Sequence, residues 1–319
     1  MVQKEHENIL ISIITPVYNQ VDLIGQAIES VIHQEDAPVE HIVMDGGSTD
    51  GTLDVLAQYS HLKVVSGTDQ GMYDALNKGI EIAKGNVIGF LNSDDLYVEN
   101  TFSEILQIFK DEHILAVVGN AIVFSETSDK TRNILSRFSS ENIKSLLELS
   151  TSSGPFLNAW FFRKSLFARL GNFNSNYRIV ADRDLMLRLA LNGVEYTKFN
   201  KVVYMYRQHF GSMTFDPTEE KIERIVHEHI FMTNLFLEQD GIPKQARKLI
   251  RDIRTRNTLE MAIRSLKKLN LQKFSFFFLR GTEYDVFWFF KFIYRIARAV
   301  VSRVKKSVSP SEFFSLKNP

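Results

Sequence analysis

The sequence predicts an α/β fold: a mostly parallel sheet flanked by helices, followed by a helical C-terminal region. Three observations predict it. Short apolar, β-rich runs alternate with stretches of helical period through about the first hundred residues. Polar turns rich in Asp, Asn and Gly directly follow three of those runs. From Pro217 onward the period is helical to about residue 306.

Residues 9–14 are apolar and β-rich and read as a buried parallel strand that Pro16 ends. Leu23, Ala27, Ile28, Val31 and Ile32 then recur at helical spacing. A second strand is expected at about 41–44 and stops at Asp45-Gly46-Gly47-Ser48-Thr49-Asp50-Gly51. A helix (about 52–59), a third strand (63–66), a helix (about 71–84) and a fourth strand (86–91) follow. Between 113 and 210 the pattern is mixed, with strand-like runs near 114–124, 157–162 and 194–206 and a helix from about Asp182 to Leu191. The domain boundary is placed near 216, giving domains over 1–215 and 216–319.

Composition narrows the function. Lys+Arg and Asp+Glu both number 38, so no overall field favours nucleic acid. There is no cysteine, which excludes a disulfide framework, a thiolate metal site and a Cys nucleophile. The charged start MVQKEHENIL carries no signal-peptide pattern, and no run of 18 apolar residues predicts a spanning helix. The expected location is cytoplasmic.

The turns carry the chemistry. Polar residues at the carboxyl ends of parallel strands line the crevice where open α/β sheets bind ligands. Asn92-Ser93-Asp94-Asp95 sits at such an end. Adjacent carboxylates in a cleft repel unless a cation lies between them, and a hard divalent ion takes one or two carboxylates and completes its shell with substrate phosphates. A solvated turn or helix cap explains the same residues equally well. Capping accounts for Ser48 to Asp50 but not for Asp45 at the strand end, where a carboxylate can accept hydrogen bonds from a base or ribose. Neither a Walker loop nor GxGxxG is present.

Taken in order, Thr15-Pro16-Val17-Tyr18-Asn19, Asp45–Gly51, Asp69-Gln70-Gly71-Met72-Tyr73-Asp74-Ala75-Leu76-Asn77-Lys78-Gly79 and Phe90–Asp95 resemble the family 2 glycosyltransferases of the GT-A fold. A weaker likeness continues through Ala181-Asp182-Arg183-Asp184-Leu185 to His209. The resemblance implies a Rossmann-like nucleotide-diphospho-sugar transferase fold and several roles. Thr15, Pro16 and Asn19 would lie beside the nucleoside, with Asp45 on the base or ribose and Asp69 and Lys78 near the donor. Asp94 would hold ribose or metal, Asp95 and His209 the metal, and Asp182 would be the acceptor base. Asn92 stands where the family usually has Asp, and Ala181 replaces one carboxylate of the acidic pair.

The resemblance thus implies inverting, metal-dependent transfer of a sugar from a nucleotide-diphosphate sugar, with uridine diphosphate the commonest carrier. Mg²⁺ or Mn²⁺ would assist, and the acceptor would be a hydroxyl of a glycan or lipid-linked saccharide in surface polysaccharide synthesis. A nucleotidyltransferase, another nucleotide-sugar-binding protein or a non-catalytic scaffold on the same fold stays open. Residues 286–306 carry six basic side chains and no acidic one at helical spacing, a pattern for an anionic membrane surface. The alternative is packing against a neighbouring helix or a second subunit, so the expected partners include the cytoplasmic face of the inner membrane or a homo-oligomer.

Overall fold

The structure is a computed structural model that describes residues 9–34, 36–152, 157–209, 218–294 and 297. The chain divides into two compact units, Met1–Thr218 and Glu219–Pro319.

Among the described residues the first unit is built on nine strands. In chain order they are β1 (Ile11–Val17), β2 (Val39–Asp45), β3 (Lys63–Ser66), β4 (Val87–Phe90), β5 (Leu96–Tyr97), β6 (Ala116–Glu126), β7 (Arg132–Phe138), β8 (Trp160–Arg163) and β9 (Thr197–Arg207). Their order across the sheet is β3-β2-β1-β4-β8-β6-β9-β5, with β7 paired to β6 off that path. β3, β2, β1 and β4 are parallel neighbours. Beyond β4 the sheet is mixed: β8 runs antiparallel to both β4 and β6, whereas β6 and β9 are parallel.

Helices α1 (Ile24–Ile32), α2 (Thr52–Leu56), α3 (Met72–Ile82) and α4 (Thr101–Phe109) connect the strands of the parallel half and lead into β6. Burial explains their faces. Ile24, Ala27, Ile28 and Val31 of α1 meet Ile11, Ile13 and Val43 of the sheet, and Phe102, Ile105, Leu106 and Phe109 of α4 join the same core. Farther on come α5 (Leu146–Ser152), α6 (Ser165–Leu170) and α7 (Ala181–Leu191).

One sequence expectation is corrected. β1 does not end before Pro16 but pairs with β2 through Pro16–Met44 and Val17–Asp45. Leu91 N–H donates to Ile14 O on the β4 side, whereas Gly46 N–H donates to Val17 O on the β2 side. Pro16 faces the same side as Ile14, where pairing with β4 has already stopped. Its missing N–H therefore costs the ladder nothing.

The second unit contains α8 (Glu219–Glu238), α9 (Lys244–Lys267) and α10 (Leu271–Tyr284). Its core joins Val226, Leu259, Met261, Ala262, Phe277, Trp288 and Phe292. No helix among the described residues is long and apolar enough to cross a membrane. Of the basic stretch expected over 286–306, residues 295–306 apart from Ala297 lie outside the described residues.

Candidate active site

Strand order reverses at β1, which has β2 on one side and β4 on the other. The crevice of such a sheet lies outside the carboxyl ends of its strands at that point. The loops after β1, β2, β3 and β4 emerge there, and hydrogen bonds tie the first three together. Asn19, in the left-handed region at φ 51°, donates its N–H to Ser48 Oγ at 2.8 Å, and its Oδ1 accepts Thr49 N–H at 2.9 Å. Asp45 is buried and accepts from Gly47 N–H, Ser48 N–H and, at 2.6 Å, Ser66 Oγ. Burial pushes its carboxyl up, but the hydrogen bonds from Ser48, Ser66 and Gly47 outweigh this and hold it below the ordinary carboxylate range.

Asp69 lies against the same loops. It accepts Gly71 N–H at 2.8 Å, and a Cβ on Gly46 would stand 2.8 Å from its Oδ2. Gly46 has no side chain because the carboxylate fills that space. The structure therefore brings Asn19, Asp45 and Asp69 into one group.

A second group forms after β4. Asp94 Oδ2 is 2.9 Å from His209 Nε2, and both side chains are partly exposed. Asp95 is buried, and both its oxygens are engaged. Oδ1 accepts Arg207 N–H at 2.7 Å, while Oδ2 accepts Tyr204 Oη–H at 2.7 Å and Asn92 Nδ2–H at 2.9 Å. Burial and repulsion from Asp94 push its carboxyl up to about 8, and those three hydrogen bonds pull the other way.

Arg207, at the end of β9, locks this turn. Its Nε donates to Asp94 O at 2.8 Å and its Nη2 to Gln26 Oε1 of α1 at 2.8 Å, while Nη1 pairs with Glu126. Tyr204 also accepts Asn158 Nδ2–H at 2.8 Å.

Asp182 stands in the first turn of α7, half-buried, and accepts Arg183 N–H at 2.7 Å. Burial raises its carboxyl above the usual value, while Arg183 and the Tyr73 hydroxyl oppose the shift. Tyr73 belongs to α3, which begins three residues after Asp69, and its hydroxyl also donates to Ile179 O at 3.0 Å. Asp184 is instead buried in an ion pair with Arg188 at 2.8 Å.

Three further expected residues make other contacts. Thr15 is fully buried, with Oγ1 2.9 Å from His41 Nε2. Pro16 is buried within β1. Lys78 pairs with Asp74 one helical turn back at 2.9 Å and donates to Thr68 O at 3.3 Å.

Sequence reasoning gave no role to Arg207, Tyr204, Tyr73 or Asn158. Two carried a local signal: Tyr73 lies in the Asp69–Gly79 motif, and Arg207 precedes His209 by two residues. Tyr204 reaches Asp95 from β9, and Asn158 reaches the Tyr204 hydroxyl from the turn before β8; neither had such a signal. A cavity of about 800 Å³ opens at the opposite end of β4, around Lys84, Asn86 and Lys164, with none of these carboxylates in its lining.

Parallel strands ending in polar loops, with carboxylates at the end of β2 and after β3 and β4, define the ligand crevice of an open α/β sheet. Residues 12–170, about half of the chain, match the family described as Glycosyl transferase family 2. The chain belongs to that family and is a glycosyltransferase. It is 28% identical over 211 residues to a PGL/p-HBAD biosynthesis glycosyltransferase of Mycobacterium bovis (strain BCG / Pasteur 1173P2), covering 64% of this chain and 79% of the relative. It is 24% identical over 221 residues to the uncharacterized glycosyltransferase EpsJ of Bacillus subtilis (strain 168), covering 65% of this chain and 64% of that protein. Among solved structures, S. aureus TarS 1-349 in complex with UDP-GlcNAc superposes with a TM-score of 0.61 at 18% identity, covering 78% of this chain and 71% of that one. The mannosyltransferase PcManGT of Pyrobaculum calidifontis, in complex with GDP-Man and Mn²⁺, has a TM-score of 0.55 at 16% identity and covers 89% and 87%. These two likenesses show the fold.

Proposed function

We propose that this glycosyltransferase moves a sugar from a nucleotide-diphosphate sugar, uridine diphosphate being the favoured carrier, to a hydroxyl of a glycan or lipid-linked saccharide. The observation that carries the reading is the convergence of the loops after β1, β2 and β3 on Asp45, beside the Asp94 turn on β4. Solved neighbours in complex with UDP-GlcNAc and with GDP-Man support a nucleotide sugar in that crevice. The PGL/p-HBAD biosynthesis relative supports a place in surface glycan assembly.

Asp45, held ionised by its hydrogen bonds, suits an acceptor of base or ribose hydrogens, with Asn19 and Asp69 beside it. The side chains of Thr15 and Pro16 act from behind, as the wall under the nucleoside. Lys78 orients Asp74 at the start of α3.

A divalent metal fits the second group in a specific way. Among the described residues no set of three or more His, Asp and Glu side chains is arranged to hold an ion. Asp94 and His209 offer one carboxylate and one imidazole at hydrogen-bonding separation, a donor pair suited to Mn²⁺ or Mg²⁺ whose shell substrate phosphates complete. Asp95 fits less well as a ligand, because both its oxygens are already engaged; it and Arg207 position the turn. When bound, the metal would neutralise charge on the departing diphosphate.

Asp182 is the base. Its carboxylate takes the acceptor proton while the acceptor oxygen bonds to the anomeric carbon and the carbon–oxygen bond to the diphosphate breaks, releasing nucleoside diphosphate. Its raised carboxyl makes it a stronger base than a free aspartate. One displacement from the face opposite the leaving group inverts the anomeric centre. A panel of nucleotide sugars tested by thermal shift, with and without Mn²⁺, measures donor and metal together. The expected outcome is stabilisation by one nucleotide class that grows with Mn²⁺, with release of nucleoside diphosphate on adding acceptor. No stabilisation by any nucleotide sugar would sink the reading, and a product retaining the donor's anomeric configuration would sink inversion.

A further inference from the structure

α3 starts beside the loops that gather on Asp45 and reaches, with two side chains, the segment that leads into α7. Gly71 N–H, just before the helix, donates to Asp69 Oδ1 at 2.8 Å, which ties the helix start to those loops. The face that carries Gly79 packs on Ile14 of β1. Tyr73 and Asn77, about one helical turn apart, lie on another face. Asn77 Nδ2–H donates to Phe173 O at 2.8 Å and its Oδ1 accepts Phe173 N–H at 2.9 Å, so one amide holds both backbone groups of that residue. Tyr73 Oη–H donates to Ile179 O at 3.0 Å, and its ring lies 5.2 Å from that of the buried Phe173. Phe173 in turn meets Phe90, the last residue of β4, at 5.4 Å between ring centres.

The held segment and α7 form one piece. Arg188 of α7 donates to the carbonyls of Leu170, Gly171 and Asn172, while Val180, the residue before the helix, brings no polar side chain to fix its start. We infer that Tyr73 and Asn77 are positioning residues for Asp182, holding this piece at a fixed separation from the loops around Asp45. The inference rests on Asp182 being the base. A shift of about 1 Å between reacting groups costs about a hundredfold in rate, and a helix anchored at both sides of the crevice removes that freedom. Tyr73 adds a second effect, because its hydroxyl also reaches the Asp182 carboxylate. A phenol has one hydrogen to donate and lone pairs to accept. It can donate to Asp182 while the carboxylate is ionised, then accept from the carboxyl and donate to Ile179 O once the base has taken its proton. The other charged group acting on Asp182 is Arg183 of its own helix. α5, which packs on α7, presents the Ser150 carbonyl to Arg183.

Two variants of the full chain, Tyr73→Phe and Asn77→Ala, test it. The Asp182 carboxyl is followed by carbon-13 NMR in protein labelled at its aspartates, with the signal assigned by its loss in Asp182→Asn. In Tyr73→Phe the ionised carboxylate loses a donor, so Asp182 should titrate at higher pH than in wild type. Nucleoside diphosphate release is measured with UDP-GlcNAc and with GDP-Man as donors. In Asn77→Ala kcat should fall about ten- to a hundredfold, with donor KM and nucleotide-sugar stabilisation close to wild type. Hydrogen exchange over 173–182 should quicken in the same variant. Should Tyr73→Phe not fold, Asn77→Ala and the milder Asn77→Ser carry the test. Variants that melt earlier but keep the wild-type Asp182 titration and kcat would make the two side chains structural ties only and overturn the inference. If Asp182→Asn is inactive in that same comparison, the base reading survives and this inference alone fails. Normal turnover by Asp182→Asn would sink both.

Discussion

Asp94 and Asp95 share a turn but not an environment: Asp94 is partly exposed beside His209, whereas Asp95 is buried and holds three donors. The proposed roles separate on that basis. Asp94→Asn should weaken Mn²⁺-dependent stabilisation by nucleotide about tenfold or more in affinity, with the melting temperature of the free protein little changed. Asp95→Asn places an amide N–H₂ against donors and should lower the melting temperature, with the metal requirement retained. The opposite pattern in thermal shift would return the metal to Asp95. For Asp182→Asn, loss of the base should cost kcat about 10²- to 10⁴-fold, with donor KM close to wild type. Because Asp182 acts ionised and its carboxyl is raised, the wild-type rate should fall with acid from a pH above the ordinary aspartate range. An Asp182→Asn variant that turns over normally would remove it from the reaction.

The elements that carry these residues are joined by close approaches. α3 lies so near β1 that a Cβ on Gly79 would stand 2.4 Å from Ile14 Cγ2. Gly79→Ala should therefore destabilise the first unit by about 1–3 kcal/mol through overpacking, read as a lower denaturant midpoint at unchanged slope. An unchanged midpoint would show that α3 can move aside. The parallel half of the sheet was legible because its strands are short apolar runs ended by Asp, Asn and Gly, and β3 spans the residues expected of it. β7 was not, because Arg132–Phe138 is exposed nearly throughout and held by its ladder to β6, leaving no apolar alternation to read. The extension of β1 past Pro16 depends on which side the proline faces, a property of neighbouring strands. The crevice carboxylates announced themselves through local motifs, whereas Tyr204 reaches Asp95, and Asn158 reaches Tyr204, through tertiary contacts alone.

At the scale of the whole molecule, the first unit carries a buried titratable group behind the crevice that makes its stability pH-dependent. His41 is buried in β2 against Thr15, and burial, with a smaller effect from His61, lowers its imidazole from 6.5 to about 3. The folded chain therefore leaves it neutral down to about pH 3, while the unfolded chain protonates it below about 6.5. The unfolded state binds the extra proton across that window, so the His41 contribution is complete above pH 6.5 and is lost as pH falls toward 3. At pH 5 the loss is about 2 kcal/mol by that linkage. Replacing His41 by Gln, which can still meet the Thr15 hydroxyl, removes the titration. Other groups titrate in the same range, so the informative quantity is the difference between the two proteins. Urea unfolding at pH 7 and pH 5 should show wild type losing about 2 kcal/mol more than His41→Gln. Equal losses would mean that His41 takes up its proton in the folded state, which would require the wall beneath Thr15 to open to water.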